Sequence, residues 1–150
     1  MLVIADSSCL IALLNVGRLE LLEQVYGAVV TTPTVAKEVK KELPSWISII
    51  DVQNEAIHTS MRQQLDPGEA SALALAHEVW EPLLILDDLA ARKVAEKLNF
   101  PIIGTLGVLE EAKAQGIIPA VRPLLEALKA VNFRISKVLE DRVLARVGEL

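Results

Sequence analysis

Val3-Ile4-Ala5-Asp6-Ser7-Ser8 and Leu83-Leu84-Ile85-Leu86-Asp87-Asp88 share one plan, a short aliphatic run that stops on acid and gives way to a helix-forming stretch. Runs of this length suit buried strands, and the longer amphipathic stretches between them suit crossover helices. Outward from these two segments, strands are expected at Val3–Ala5, Ala28–Thr31, Ile47–Val52, Leu83–Leu86 and Pro101–Ile103. The alternation predicts an α/β chain on a mostly parallel sheet.

Helix starts are marked by Thr32-Pro33, a cap followed by a first-turn proline, and by Asp66-Pro67-Gly68-Glu69, which adds the spacing of a capping box. Asn54–Leu65 is expected to be helical. After Gly104 the chain reads as helix over Thr105–Gln115, Pro119–Val131 and Ser136–Val147. In the last of these Ile135, Leu139, Val143 and Val147 form a stripe that must be buried, against the sheet or a second copy. No linker or repeat interrupts residues 1–150, so one domain is expected.

Composition excludes several classes. Apolar residues make up 52% of the 150 but fall in blocks too short to span a membrane, so a soluble protein is expected. The N-terminus lacks a basic opening region, and the cytoplasm is the expected compartment. Cys9 is the only cysteine, which excludes an internal disulfide and paired-cysteine zinc motifs; among aliphatic neighbours it reads as core. A net charge of −5 argues against binding nucleic acid through a broad basic surface, yet carboxylates awaiting metal also lower the count. Two tryptophans, one tyrosine and two phenylalanines leave little for base stacking; Trp46 reads as core, with RNA or partner contact as its functional alternative.

In open parallel sheets, ligand sites form beyond the carboxyl ends of the strands. Asp6, Asp87 and Asp88 stand at such ends. Each also has a structural explanation: Asp6, Asp87 and Asp88 as helix caps, Glu69 as the partner of Asp66 in a capping box, and Glu38 as the ion-pair partner of Lys41. Considered jointly, carboxylates gathered in one cleft repel one another unless a cation neutralises them. Oxygen ligands without a cysteine site select a hard ion, magnesium or manganese. Such an ion activates water and stabilises charge on a phosphate, which suits phosphodiester hydrolysis.

The segments around these acids resemble the PIN-domain ribonucleases over nearly the whole chain. Val3-Ile4-Ala5-Asp6-Ser7-Ser8-Cys9-Leu10-Ile11-Ala12-Leu13 looks like the PIN-domain start with its first acid, and Thr32-Pro33-Thr34-Val35-Ala36-Lys37-Glu38-Val39 is similar to the segment carrying the second. Leu65-Asp66-Pro67-Gly68-Glu69-Ala70-Ser71-Ala72-Leu73-Ala74-Leu75-Ala76 looks like the helix of the third acid, with Glu69 where Asp is commoner. Leu84-Ile85-Leu86-Asp87-Asp88-Leu89-Ala90-Ala91-Arg92 resembles the fourth, with Asp88 in the acid's place, Asp87 as neighbour or substitute, and Leu86 where many members carry threonine. Ile102-Ile103-Gly104-Thr105-Leu106-Gly107-Val108-Leu109 looks like a subgroup, VapC-like, found as the toxin half of toxin-antitoxin pairs.

The resemblance implies a three-layer α/β/α PIN-like fold with additional C-terminal helices, and magnesium- or manganese-dependent ribonuclease activity. It implies Asp6, Glu38, Glu69 and Asp88 as catalytic residues, with Asp87 joining them as metal ligand. It further implies a homodimer and inhibition by a small antitoxin whose peptide occupies or distorts the acidic cleft. Ser7 and Thr105 would be secondary polar groups, with helix capping as the alternative. Arg92, Lys93 and Lys97 are candidates for holding the RNA backbone, or a solvated helix face; His58 and His77 do not adjoin the proposed cleft, and metal-bound water needs no histidine, so neither is expected to act as a base. A haloacid-type phosphotransferase is disfavoured by Ser8, which stands where that class carries a second Asp. The non-enzyme alternative is a PIN-like scaffold that only binds a partner.

Overall fold

The computed structural model describes residues Met1–Leu150. Its elements run β1 (Leu2–Ala5), α1 (Ser7–Asn15), α2 (Glu20–Tyr26), β2 (Val29–Thr31), α3 (Pro33–Val39), β3 (Ile47–Ile49), α4 (Glu55–Arg62), α5 (Pro67–Ala76), β4 (Pro82–Ile85), α6 (Leu89–Lys97), β5 (Ile102–Ile103), α7 (Thr105–Ala114), α8 (Arg122–Ala130) and α9 (Lys137–Arg146). The strands form one sheet in the order β3-β2-β1-β4-β5. Every pairing is parallel, so the expected mostly parallel sheet is parallel throughout.

Period-2 alternation of side chains divides the core between the two faces. Val3, Ala5, Val29 and Ile85 pack on one side with Leu10, Leu13, Leu109 and Leu125, from α1, α7 and α8. Ile4, Val30, Leu84 and Leu86 pack on the other with Leu73, Leu75, Ala91 and Ala95, from α5 and α6. Helices on both faces make the expected three layers. Strands buried on both sides explain why their sequence runs are continuously apolar.

Several boundaries differ from the sequence reading. The third strand ends at Ile49, not Val52: the Ile50 amide still reaches Thr31 O at 2.8 Å, but β2 then turns into α3 and leaves nothing to pair with. That turn is enforced locally, because Thr32 Oγ1 accepts from the Val35 amide (3.1 Å) and Pro33 occupies the first helical turn. The helix expected from Pro119 starts at Arg122, where the Glu149 carboxylate accepts from the Val121 and Arg122 amides at 2.7 and 2.9 Å. The C-terminal stripe is also corrected. Val143 is fully buried and Val147 half-buried, but Leu139 is 39% exposed, and Leu144 with Glu140 completes the buried face. A strict four-residue spacing drifts about 40° per step around a helix and leaves the buried face. Glu140 is held inside by Lys129, 3.2 Å from both carboxylate oxygens.

Cys9 is buried as expected, and Trp46 packs against the core. Trp80, which drew no attention in the sequence, is 84% exposed. No helix is long and apolar enough to cross a membrane.

Candidate functional site

β1 sits between β2 and β4, so chain connections diverge at its carboxyl end and open a crevice there. The register pairs Ala5 with Ile85, and the Asp6 amide donates to Ile85 O at 3.2 Å. Asp6 and Asp87-Asp88 therefore leave adjacent strands side by side, as the two opening segments of sequence require.

Asp6 occupies the N-cap position of α1 but its side chain makes no capping hydrogen bond. It is 2% exposed, and its Oδ1 is buried with no hydrogen-bond partner. The capping explanation for Asp6 fails, and its buried carboxylate oxygen is open to a water or a cation. Glu38, on α3, is not paired with Lys41; its Oε2 accepts from the Gly68 amide at the start of α5 (3.1 Å). Glu69 lies beside that contact in the first turn of α5, and the Asp66 side chain makes no capping hydrogen bond, so the reciprocal capping box is not formed.

The two acids after β4 divide their work. Asp87 is fixed by Thr105, whose amide and hydroxyl donate to it at 2.8 and 2.5 Å, and by the Ser8 hydroxyl at 3.3 Å. Asp88 caps α6 through Oδ2, which accepts from the Ala91 amide at 3.0 Å, and keeps its other oxygen free. Capping and a place in the cleft are thus compatible for Asp88. Thr105 is not a cap itself; it anchors the carboxylate that caps its own helix.

Protonation follows from this crowding. Burial raises the Asp6 pKa from 3.8 to about 6, against a hydrogen bond from the Ser7 amide, and the charges of Glu38, Asp87 and Asp88 add to the rise. Burial likewise raises Glu69 from 4.5 to about 7, helped by Asp88, Asp6 and Asp66. Five acids named from the sequence, Asp6, Glu38, Glu69, Asp87 and Asp88, therefore share one electrostatic neighbourhood. No three of the acids, histidines and cysteine stand close enough together to hold a metal ion as a group. The donor set nevertheless fits magnesium or manganese, which keep several waters and need only a few carboxylate oxygens.

Both shifts carry a stability consequence with a definite sign. Unfolded, the two carboxyls lose their protons near their ordinary values, about 4. Folded, they retain protons up to about 6 and 7, so the folded chain binds more protons in between and is destabilised as pH rises through that window. In chelator, the melting temperature of the parent should fall relative to that of an Asp6→Asn/Glu69→Gln variant between pH 4 and 7. Calorimetry that gives parallel pH profiles for the two proteins contradicts the placement of these acids.

Other candidates separate. Ser7 is half-buried at the start of α1 and contributes its amide to Asp6. Arg92 turns inward, Nη1 donating to Leu86 O at 3.0 Å, whereas Lys93 and Lys97 are exposed, roughly a quarter turn or more around α6 from it. His77 packs edge-on against Phe100, and His58 lies beside Arg62, so neither joins the acids.

Three contributors were missed in the sequence: Ser8, Gly68 and Ser71. Ser71 Oγ donates to Gly68 O (2.8 Å) and lies 2.6 Å from Thr32 Oγ1, joining the first turns of α3 and α5 through buried hydroxyls. A hydroxyl one turn after a helix-breaking glycine was the available signal.

A family model described as DUF3368, PIN domain, matches residues 2–149. No curated protein and no solved structure matched the chain. PIN domains are generally nucleases that act on RNA or DNA, and they generally use divalent metal ions. Because that match covers the strands, the helices and every acid that they bring to the end of β1, the chain belongs to the PIN-domain family.

Proposed function

We propose that the chain is a divalent-metal-dependent endoribonuclease in which Asp6, Glu38, Glu69 and Asp88 hold magnesium or manganese and Asp87 supports them as a further ligand. The observation that carries this reading is Asp6 Oδ1, buried without a partner among other carboxylates. A bound cation would supply charge for the phosphate and lower the pKa of water. The protein's part is positioning. Gly68 holds Glu38, Ala91 holds one oxygen of Asp88, and Thr105 with Ser8 holds Asp87, so the acids keep their separation without a metal's help.

The expected result is cleavage of a structured RNA with magnesium or manganese and none in chelator. Undiminished cleavage in chelator overturns the metal requirement, and no cleavage under any condition favours a PIN-like binding scaffold.

The resemblance at Ile102-Ile103-Gly104-Thr105 further supports a toxin role, with a homodimer and a small antitoxin as partners. An antitoxin that enters the acidic cleft should suppress cleavage in a stoichiometric complex. Full activity in such a complex, with the product of an adjacent gene, contradicts this assignment.

A further inference from the structure

A cleft of about 470 Å³ begins at Asp87 and runs between β5, α7 and the α8–α9 connection. Its volume suits a nucleotide-sized ligand. Near the acids, Arg92 Nη1 and Asp87 Oδ1 both lie over the bare Cα of Gly104, where an added Cβ would sit 2.9 and 3.1 Å from them. At the far side stand Phe133 and Arg134. The end of α8 fixes both: Asn132 adopts φ 66°, and the Phe133 amide donates to Leu128 O at 3.0 Å. Phe133 is half-buried and also lines a second cleft with Ser8, the residue that touches Asp87.

Charge decides what such a cleft accepts. Glu110 is neutralised by Arg146 at 2.7 and 3.2 Å, whereas Arg134 makes no ion pair and Arg92 bonds only a backbone carbonyl. Two guanidinium groups without carboxylate partners therefore line the route away from an acidic centre, in a chain whose net charge is −5. Guanidinium groups suit phosphates, and an aromatic face suits an unstacked base.

We propose that this cleft is the subsite for the nucleotide flanking the scissile phosphate of single-stranded RNA, with Arg134 on its phosphate and Phe133 against its base. The inference rests on the ribonuclease reading above and adds the strand's path and its single-stranded form. A duplex keeps its bases stacked and cannot offer one to Phe133. Phe133 and Arg134 act on binding, not on the reacting atoms.

The test uses the whole chain and a labelled single-stranded RNA of about eight nucleotides, with magnesium. Arg134→Gln is exposed and should leave the melting temperature unchanged, raise KM severalfold with kcat preserved, and lower the salt slope of binding by about 0.7. Phe133→Leu keeps the contact with the core and should weaken binding roughly tenfold. An abasic scan supplies a readout that loosened packing would not give. One position should matter to the parent and be silent in Phe133→Leu. If the parent cleaves RNA and both variants retain its KM, the subsite is wrong and the nuclease reading stands. If only binding of single-stranded DNA responds, the occupant is wrong; if the parent neither binds nor cleaves RNA, both proposals fall.

Discussion

Asp6→Asn is expected to lower RNA cleavage by about two to three orders of magnitude while leaving the metal-free protein at least as stable as its parent. Asparagine preserves the shape and removes one charge from a cleft where burial and the charges of Glu38, Asp87 and Asp88 already push the Asp6 pKa up to about 6. No cap is lost, because the Asp6 side chain makes no capping hydrogen bond. Function and stability should therefore separate. Were Asp6 only a helix cap, asparagine would serve nearly as well and cleavage would survive. Magnesium or manganese should raise the melting temperature of the parent more than that of the variant, since only the parent offers the full acidic set.

Gly68→Ala should come next in size, although residue 68 carries no chemistry. A Cβ there would overlap Glu38 Oε1 and lie 2.7 Å from its Cδ, so the carboxylate must leave its seat on the residue-68 amide. Glu38 is the far end of a flexible side chain, and alanine is the better helix former, so the fold should lose little. Metal affinity should fall roughly 10–100-fold, the range seen when a ligand loses its support. Metal-dependent melting shifts measure this without reference to activity. Unchanged affinity in Gly68→Ala would show that the Glu38 seat is not used.

The fold was legible because its signals are local and redundant. Val3-Ile4-Ala5 and Leu84-Ile85-Leu86 are apolar on both faces, as central parallel strands must be, and Thr32-Pro33 states its own cap. What failed depends on neighbours in space. Val52 has strand-like chemistry but no strand beside it, and Arg122 starts its helix because Glu149, distant in sequence, satisfies the amides there.

Asp6, Asp87 and Asp88 were legible from where strands end, and Glu38 and Glu69 from the resemblance of their segments; the groups that support these acids were not legible. Asp87 and Asp88 are adjacent and identical in type, and only the fold shows that Thr105 and Ser8 claim the first while Ala91 claims half of the second. Gly68 read as a break in the chain because the reason for its bare Cα, the Glu38 carboxylate, belongs to another helix. Arg134 and Phe133 had no motif around them; the end of α8 places them on the far side of the cleft that begins at Asp87.

Divalent metal binding by these carboxylates underlies the proposed chemistry. Its most direct test is manganese titration of the parent and Asp6→Asn by calorimetry near pH 6.5, in two buffers of different ionisation enthalpy. Saturable binding by the parent with net proton release is expected, because Asp6 and Glu69 must lose protons that they partly retain at that pH, and weaker binding with less release by the variant. Equal affinity and equal proton release in the two proteins, or no binding by the parent, would contradict it.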